Sequence, residues 1–137
     1  MTFVADTSAL VHAWRRGSGD LALRHIIARD DVAICGPVKL ELLRGARNPR
    51  EADDLLRLLN HAPQRPVSPR AWTIATGTLL DLVGLRGGRH RGVAVSDLLV
   101  AAVALESDLT VLHRDRDFDL IASVTGQPMR WFGARPA

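Results

Sequence analysis

Thr2-Phe3-Val4-Ala5-Asp6-Thr7-Ser8-Ala9-Leu10-Val11-His12-Ala13-Trp14-Arg15 changes its periodicity without a loop. The residues from Thr2 to Ala5 read as a short buried strand, and those from Ser8 to Arg15 as a helix that follows almost at once. A strand that passes directly into a helix opens a β-α unit, and such units build parallel sheets. Asp6 stands at the junction, where the strand ends.

The same alternation continues outward from this stretch. After a break at Gly17-Ser18-Gly19, Asp20 is placed to cap a second helix whose Leu23, Ile26 and Ile27 recur at helical spacing. Val32-Ala33-Ile34-Cys35 is a second strand. Pro37 suits the first turn of the next helix, which runs through Val38, Leu40, Glu41, Leu42 and Leu43 toward Gly45. Asn48-Pro49 opens a further helix, from Glu51 to about Asn60, with Ala52, Leu55, Leu56 and Leu59 as its stripe. The segment from Ala62 to Val67 holds Pro63 and Pro66 and reads either as loop or as a short edge strand. Ser68-Pro69 starts a long helix with Trp72, Ala75, Leu79, Leu82 and Val83 on one side, and Arg86 to Gly92 follows as a flexible basic loop.

Ser96-Asp97 then opens a helix in which Leu98 through Leu105 are all apolar, so that helix is expected to be enclosed on most sides. Thr110-Val111-Leu112 is a strand, Asp115-Arg116-Asp117-Phe118 begins a short helix, and Met129-Arg130-Trp131-Phe132 is a closing strand. The expected fold is α/β, a mostly parallel central sheet flanked by helices on both faces in three layers, forming one domain over residues 1–137. In such sheets ligands bind beyond the carboxyl ends of the strands.

Bulk properties narrow the function. With 47% hydrophobic residues in 137, the chain has the apolar side chains for a real core. No apolar run is long enough to span a bilayer, and the first residues lack the basic start and apolar stretch of a secretion signal, so a cytoplasmic protein is expected. Cys35 is the only cysteine, which excludes an internal disulfide, a zinc knuckle and a Cys-x-x-Cys redox pair and leaves a buried, inert thiol. The formal charge is only +3, and of 18 basic residues Lys39 is the sole lysine. That arginine bias suits phosphate recognition, and it is equally what a GC-rich genome produces through codon usage.

Four acids carry the chemistry. Asp6, Asp97 and Asp115 fall at strand-to-helix transitions or in a first helical turn, and Glu41 lies one turn into the helix after the second strand. All four are therefore expected at the same end of the sheet. Carboxylates gathered there repel one another, and burial alone would neutralise some of them; a divalent cation removes the conflict. An all-oxygen donor set favours hard ions such as Mg2+ or Mn2+ over zinc. Taken singly, Asp97 and Asp115 also suit ordinary helix caps worth about 1 kcal/mol each. Glu41 resists such an explanation, because an acid on the face it shares with Val38 and Leu42 needs a partner.

In their order along the chain these acids lie in Val4-Ala5-Asp6-Thr7-Ser8-Ala9-Leu10, Glu41-Leu42-Leu43-Arg44-Gly45, Val95-Ser96-Asp97-Leu98-Leu99-Val100-Ala101-Ala102 and Val111-Leu112-His113-Arg114-Asp115-Arg116-Asp117-Phe118. This succession resembles the four acidic motifs of the PIN-domain family, closest to the VapC toxins, over nearly the whole chain. The resemblance implies an Mg2+- or Mn2+-dependent endoribonuclease, a homodimer held inactive by a VapB-type antitoxin lying across the active-site groove. It implies that Asp6, Asp97 and Asp115 hold the metal, that Glu41 orients water or a second ion, and that Ser8 donates a hydrogen bond near the site. Asp117 is a further candidate ligand in the Asp-Arg-Asp stretch. His113 lies where the family often has threonine and either shapes the site or contacts a phosphate.

Arg86, Arg89, His90 and Arg91 precede the Asp97 helix and are candidates to track an RNA backbone, against the alternative of a solvated loop. Trp14, Trp72 and Trp131 sit among apolar neighbours and are assigned to packing or a dimer contact. A haloacid-dehalogenase reading wants an Asp two residues after the first, where this chain has Ser8. Nucleotide-binding glycine loops are absent from the sequence. The remaining alternative is a non-catalytic PIN-fold module that holds RNA or a protein.

Overall fold

The expected strands pair into one five-stranded parallel sheet in the computed structural model, which describes residues 2–16 and 20–137. Its strands are β1 (Phe3–Ala5), β2 (Val32–Cys35), β3 (Gln64–Arg65), β4 (Thr110–His113) and β5 (Met129–Trp131), in the order β3-β2-β1-β4-β5. The helices are α1 (Thr7–Arg16), α2 (Asp20–Ala28), α3 (Gly36–Arg44), α4 (Pro49–Asn60), α5 (Pro69–Val83), α6 (Val95–Glu106) and α7 (Asp117–Thr125). The chain steps outward from β1 to β3, returns past β1 to β4, and goes on to β5. With right-handed crossovers this reversal covers both faces of the sheet with helices, as expected from the sequence. It also opens a crevice at the carboxyl ends of β1 and β4, where the order turns.

The centre of the sheet is buried because β1 and β2 are apolar throughout. β1 and β2 have no exposed residue, and Phe3 pairs with both Val32 and Thr110 across the centre. α6 lies against β1, β4, α3, α5 and α7, and its residues from Leu98 to Ala104 are all buried. Its last apolar residue, Leu105, emerges into solvent. The ambiguous segment around Pro63 does form an edge strand: β3 is two residues long and pairs only with β2 among the described residues, and Pro63 just before it joins the ladder through its carbonyl alone, which accepts the Ile34 N–H at 2.9 Å.

Two helical stripes differ from expectation. α4 buries Leu55, Leu58 and Leu59, while Leu56 turns outward. α5 buries Ala71, Ala75, Thr78 and Leu82, leaving Trp72 53% and Leu80 65% exposed. In both, small or alternative residues at helical spacing present a second apolar face, and the one that packs is fixed by the neighbouring layer. Trp72 is therefore not core packing, whereas Trp14 is partly buried against the core. Within the basic segment after α5, Arg89–Gly92 forms a 3-10 turn, entered through Gly88 at φ 65. Residues 17–19, read as a break, and the Asp20 side chain, read as a cap, lie outside the described residues. Among the described residues no helix is long and apolar enough to cross a membrane.

Candidate metal centre

Asp6 ends β1 and is held from two directions. Its backbone N–H donates to Leu112 O on β4 at 2.8 Å, which ties together the two strands flanking the crevice. Its Oδ2 accepts from the Ser8 N–H at 3.0 Å and from the Ser8 hydroxyl at 2.6 Å. That hydroxyl in turn accepts the Arg114 N–H at 2.8 Å, so Ser8 links the end of β1 to the end of β4. Asp6 thus does cap α1, with one oxygen. Its other oxygen, Oδ1, is buried and has no partner, although the residue is only 3% exposed. Burial raises the Asp6 pKa; the Ser8 hydrogen bonds offset part of that, and the Glu41 charge adds to it.

Asp97 lies in the first turn of α6, but it is no cap. The residue in the cap position is Ala94, which offers no side-chain oxygen, and the Asp97 carboxyl turns into the crevice, 7% exposed. Burial first, then the charges of Asp6, Asp115, Asp117 and Glu41, push its pKa up to about 8. Asp115 has a mixed role: its Oδ1 accepts the Asp117 N–H at 2.8 Å and so shapes the turn into α7. Asp117 itself is raised by burial and by Asp115, and Arg89 from the 3-10 turn opposes that shift.

Among the described residues, Asp97, Asp115 and Asp117 are the acids whose oxygens approach within 4.8 Å of one another. Asp6 and Glu41 stand just outside this trio, near enough to act electrostatically on Asp97. The ion pairs among the described residues are Arg29–Asp31, Arg47–Glu51 and Arg135–Asp119, and none of them neutralises an acid of the cluster. Two oxygens on opposite sides of one Mg2+ stand about 4.2 Å apart. The trio is thus on the scale of one ion. The oxygen-only donors, their uncompensated charge and the orphaned Asp6 Oδ1 together fit a hard divalent cation.

His113 lies beneath the acids rather than among them. It has no exposed surface, which removes it from contact with a phosphate. Its Nδ1 accepts the Asp115 N–H at 3.2 Å, and its ring packs on Phe118 at 5.0 Å and Trp131 at 5.1 Å. The proton consequently sits on Nε2, and burial lowers the pKa, so His113 is a neutral prop under the Asp115 turn. Cys35 is fully buried beside Asp6 and Glu41, and burial pushes its thiol to about 11, which makes it inert.

Reading the sequence by itself missed the side chain of Arg114, whose guanidinium leaves the acids and donates to Phe132 O at 2.8 Å and Ala134 O at 3.0 Å. The alternation Arg114-Asp115-Arg116-Asp117 was the available signal, since opposite charges at that spacing must be kept apart if the acids are to hold a cation.

Known proteins are similar to this chain in sequence and in fold. A family model described as PIN domain matches residues 3–124. Ribonuclease VapC18 of Mycobacterium tuberculosis is 36% identical over 137 residues, spanning 98% of each chain. Ribonuclease VapC51 of the same species is 35% identical over 135 residues, 96% of this chain and 93% of the relative. Among solved structures, VapBC2 from Rickettsia felis bound to a promoter DNA fragment superposes with a TM-score of 0.72 at 16% identity, covering 96% of this chain and 98% of that one. VapBC-5 from Mycobacterium tuberculosis gives 0.62 at 21% identity, covering 97% and 98%. At those identities the structural likeness is one of fold.

Proposed function

The chain belongs to the PIN-domain family, among its VapC members, and from that premise we propose that it is a metal-dependent endoribonuclease, the toxin of a toxin-antitoxin pair. The observation that carries the reading is Asp97. A carboxyl group pushed to about 8 by burial and four like charges, with no arginine paired to it among the described ion pairs, is costly unless a cation joins it.

In this reading Asp97 and Asp115 hold Mg2+ or Mn2+, with Asp6 and Asp117 completing the oxygen set and Glu41 orienting water beside it. An ion held there supplies Lewis-acid polarisation of the scissile phosphate and acidifies water. The chain's own groups do the positioning. Ser8 fixes the Asp6 rotamer and joins it to the β4 end, and His113 holds the backbone of Asp115. Arg89 brings positive charge up to Asp117, and with exposed Arg86 and Arg91 it forms a basic rim for the RNA backbone. The family premise supplies the partners, a VapB-type antitoxin and a second copy of the chain, and a cytoplasmic setting. Trp72 and Leu80, exposed two turns apart on α5, supply apolar surface that a second copy would cover.

The test is to incubate purified, partner-free protein with a pool of structured RNAs in Mg2+, Mn2+ or EDTA, beside Asp6→Ala and Asp97→Asn. Metal-dependent cuts that both variants lose are expected. RNA retained uncut under every metal condition would instead leave a non-catalytic binding module.

A further inference from the structure

The turn between β4 and α7 reads Arg114-Asp115-Arg116-Asp117-Phe118-Asp119, with opposite charges side by side. Neighbouring arginine and aspartate side chains pair readily, and an arginine on Asp115 or Asp117 would cover the oxygens that a cation needs. The structure keeps these charges sorted. The Arg114 guanidinium points the other way, donating to Phe132 O and Ala134 O and lying 5.8 Å from the Trp131 ring centre. Arg135, from the same segment after β5, takes the third acid, Asp119, at 2.7 Å and lies 5.3 Å from the Trp131 ring. Asp119 is therefore paired, while Asp115 and Asp117 stay free of the described ion pairs.

Gly133 makes the arrangement fit. Its φ of +72 is a conformation that residues with a side chain rarely adopt, and it presents the Phe132 and Ala134 carbonyls to one guanidinium. A Cβ there would stand in van der Waals contact with Arg114 Nη1, at 3.6 Å, and the positive φ strains any residue larger than glycine, so a substitution there disturbs the turn that seats the guanidinium. Trp131 also rests on His113, which holds the Asp115 N–H, so the segment supports the acid turn from below as well.

We infer that residues 131–135 form a clasp that withholds Arg114 from Asp115 and Asp117, keeping those carboxylates open to a cation. The inference rests on the metal-site reading above. The clasp is a positioning device, and its signature is that removing the arginine cancels the damage done by opening the clasp. A role in folding alone leaves no such rescue.

The experiment is a titration of the metal-free chain with Mn2+ alone, followed by calorimetry or by the loss of free-ion paramagnetic signal. Wild type, Asp97→Asn, Gly133→Val, Arg114→Ala and the Gly133→Val/Arg114→Ala pair are compared, with circular dichroism as the check on folding. Gly133→Ala serves if valine prevents folding. Opening the clasp is expected to weaken Mn2+ binding roughly fivefold, the scale of a partly exposed competing ion pair, and Arg114→Ala is expected to restore wild-type affinity in the pair. Unchanged affinity in Gly133→Val, or a double variant as weak as the single one, overturns the clasp while leaving the metal site intact. A wild-type chain that binds Mn2+ no better than Asp97→Asn overturns the metal-site reading and the clasp with it.

Discussion

Replacing Asp97 by asparagine is expected to make the metal-free protein more stable, not less. The carboxyl is raised from 3.8 to about 8 in the fold by burial and by the charges of Asp6, Asp115, Asp117 and Glu41. The folded chain therefore holds a proton that the unfolded chain releases, and stability falls as pH rises from about 4 to about 8, then levels off. At 1.36 kcal/mol for each pH unit, the loss attached to this group approaches on the order of 5 kcal/mol by pH 8. Asparagine keeps the shape and carries no such penalty. Near pH 7.5 in EDTA, Asp97→Asn should melt about 10–15 °C above wild type, and the gap should shrink steadily toward pH 5. Taking the difference between the two proteins cancels the opposite titration of His113, whose pKa is lowered. In saturating Mn2+ the order should narrow or invert, because an ion at 100 times its dissociation constant adds about 2.7 kcal/mol to the protein that binds it. The assay is differential scanning calorimetry at half-unit steps from pH 5 to 8.5, with EDTA and with Mn2+. An Asp97→Asn curve parallel to wild type across that range, with no gain in EDTA, would refute the account of the cluster as charge held in suspense.

Two further substitutions test the supports of the site. Ser8→Ala removes a hydroxyl that both donates to Asp6 and accepts from the Arg114 N–H; it should cost about 2–3 kcal/mol in urea unfolding. A loss below about 0.5 kcal/mol would mean that the link between β1 and β4 carries little. Alanines at both Arg89 and Arg91 should weaken RNA binding by Asp97→Asn protein and flatten its salt dependence by about two ionic contacts. An unchanged slope would make the 3-10 turn plain surface.

The architecture was legible because it is written in periodicity. Val32 to Cys35 and Thr110 to Leu112 are too short and too apolar to be anything but buried parallel strands, and Pro37, Pro49 and Pro69 each stand at a helix start. What escaped was the choice between rival faces: Leu58 over Leu56 on α4, and Ala71 with Thr78 over Trp72 on α5, since a helix with two apolar stripes does not say which neighbour it will meet. The gathering of acids at one sheet end followed from the order of strands and helices. The finer arrangement did not. That Asp97 is uncapped cluster while Asp6 caps with one oxygen, that Asp117 joins the tightest trio, and that Arg114 is drawn away by Phe132 and Ala134 are all set by contacts between segments distant in sequence.

The strand order has a consequence for the moment of synthesis. β1 at Phe3–Ala5 is made well before its partner β4 at Thr110–His113, and the crevice lies between them. At about 5–20 residues per second, a ribosome spends several seconds exposing a chain that already displays Asp6 and Glu41 but has no second wall to face them. A chain that stops before β4 therefore lacks Asp115, Asp117 and the strand that walls the crevice, so the acid cluster is complete only once β4 stands beside β1.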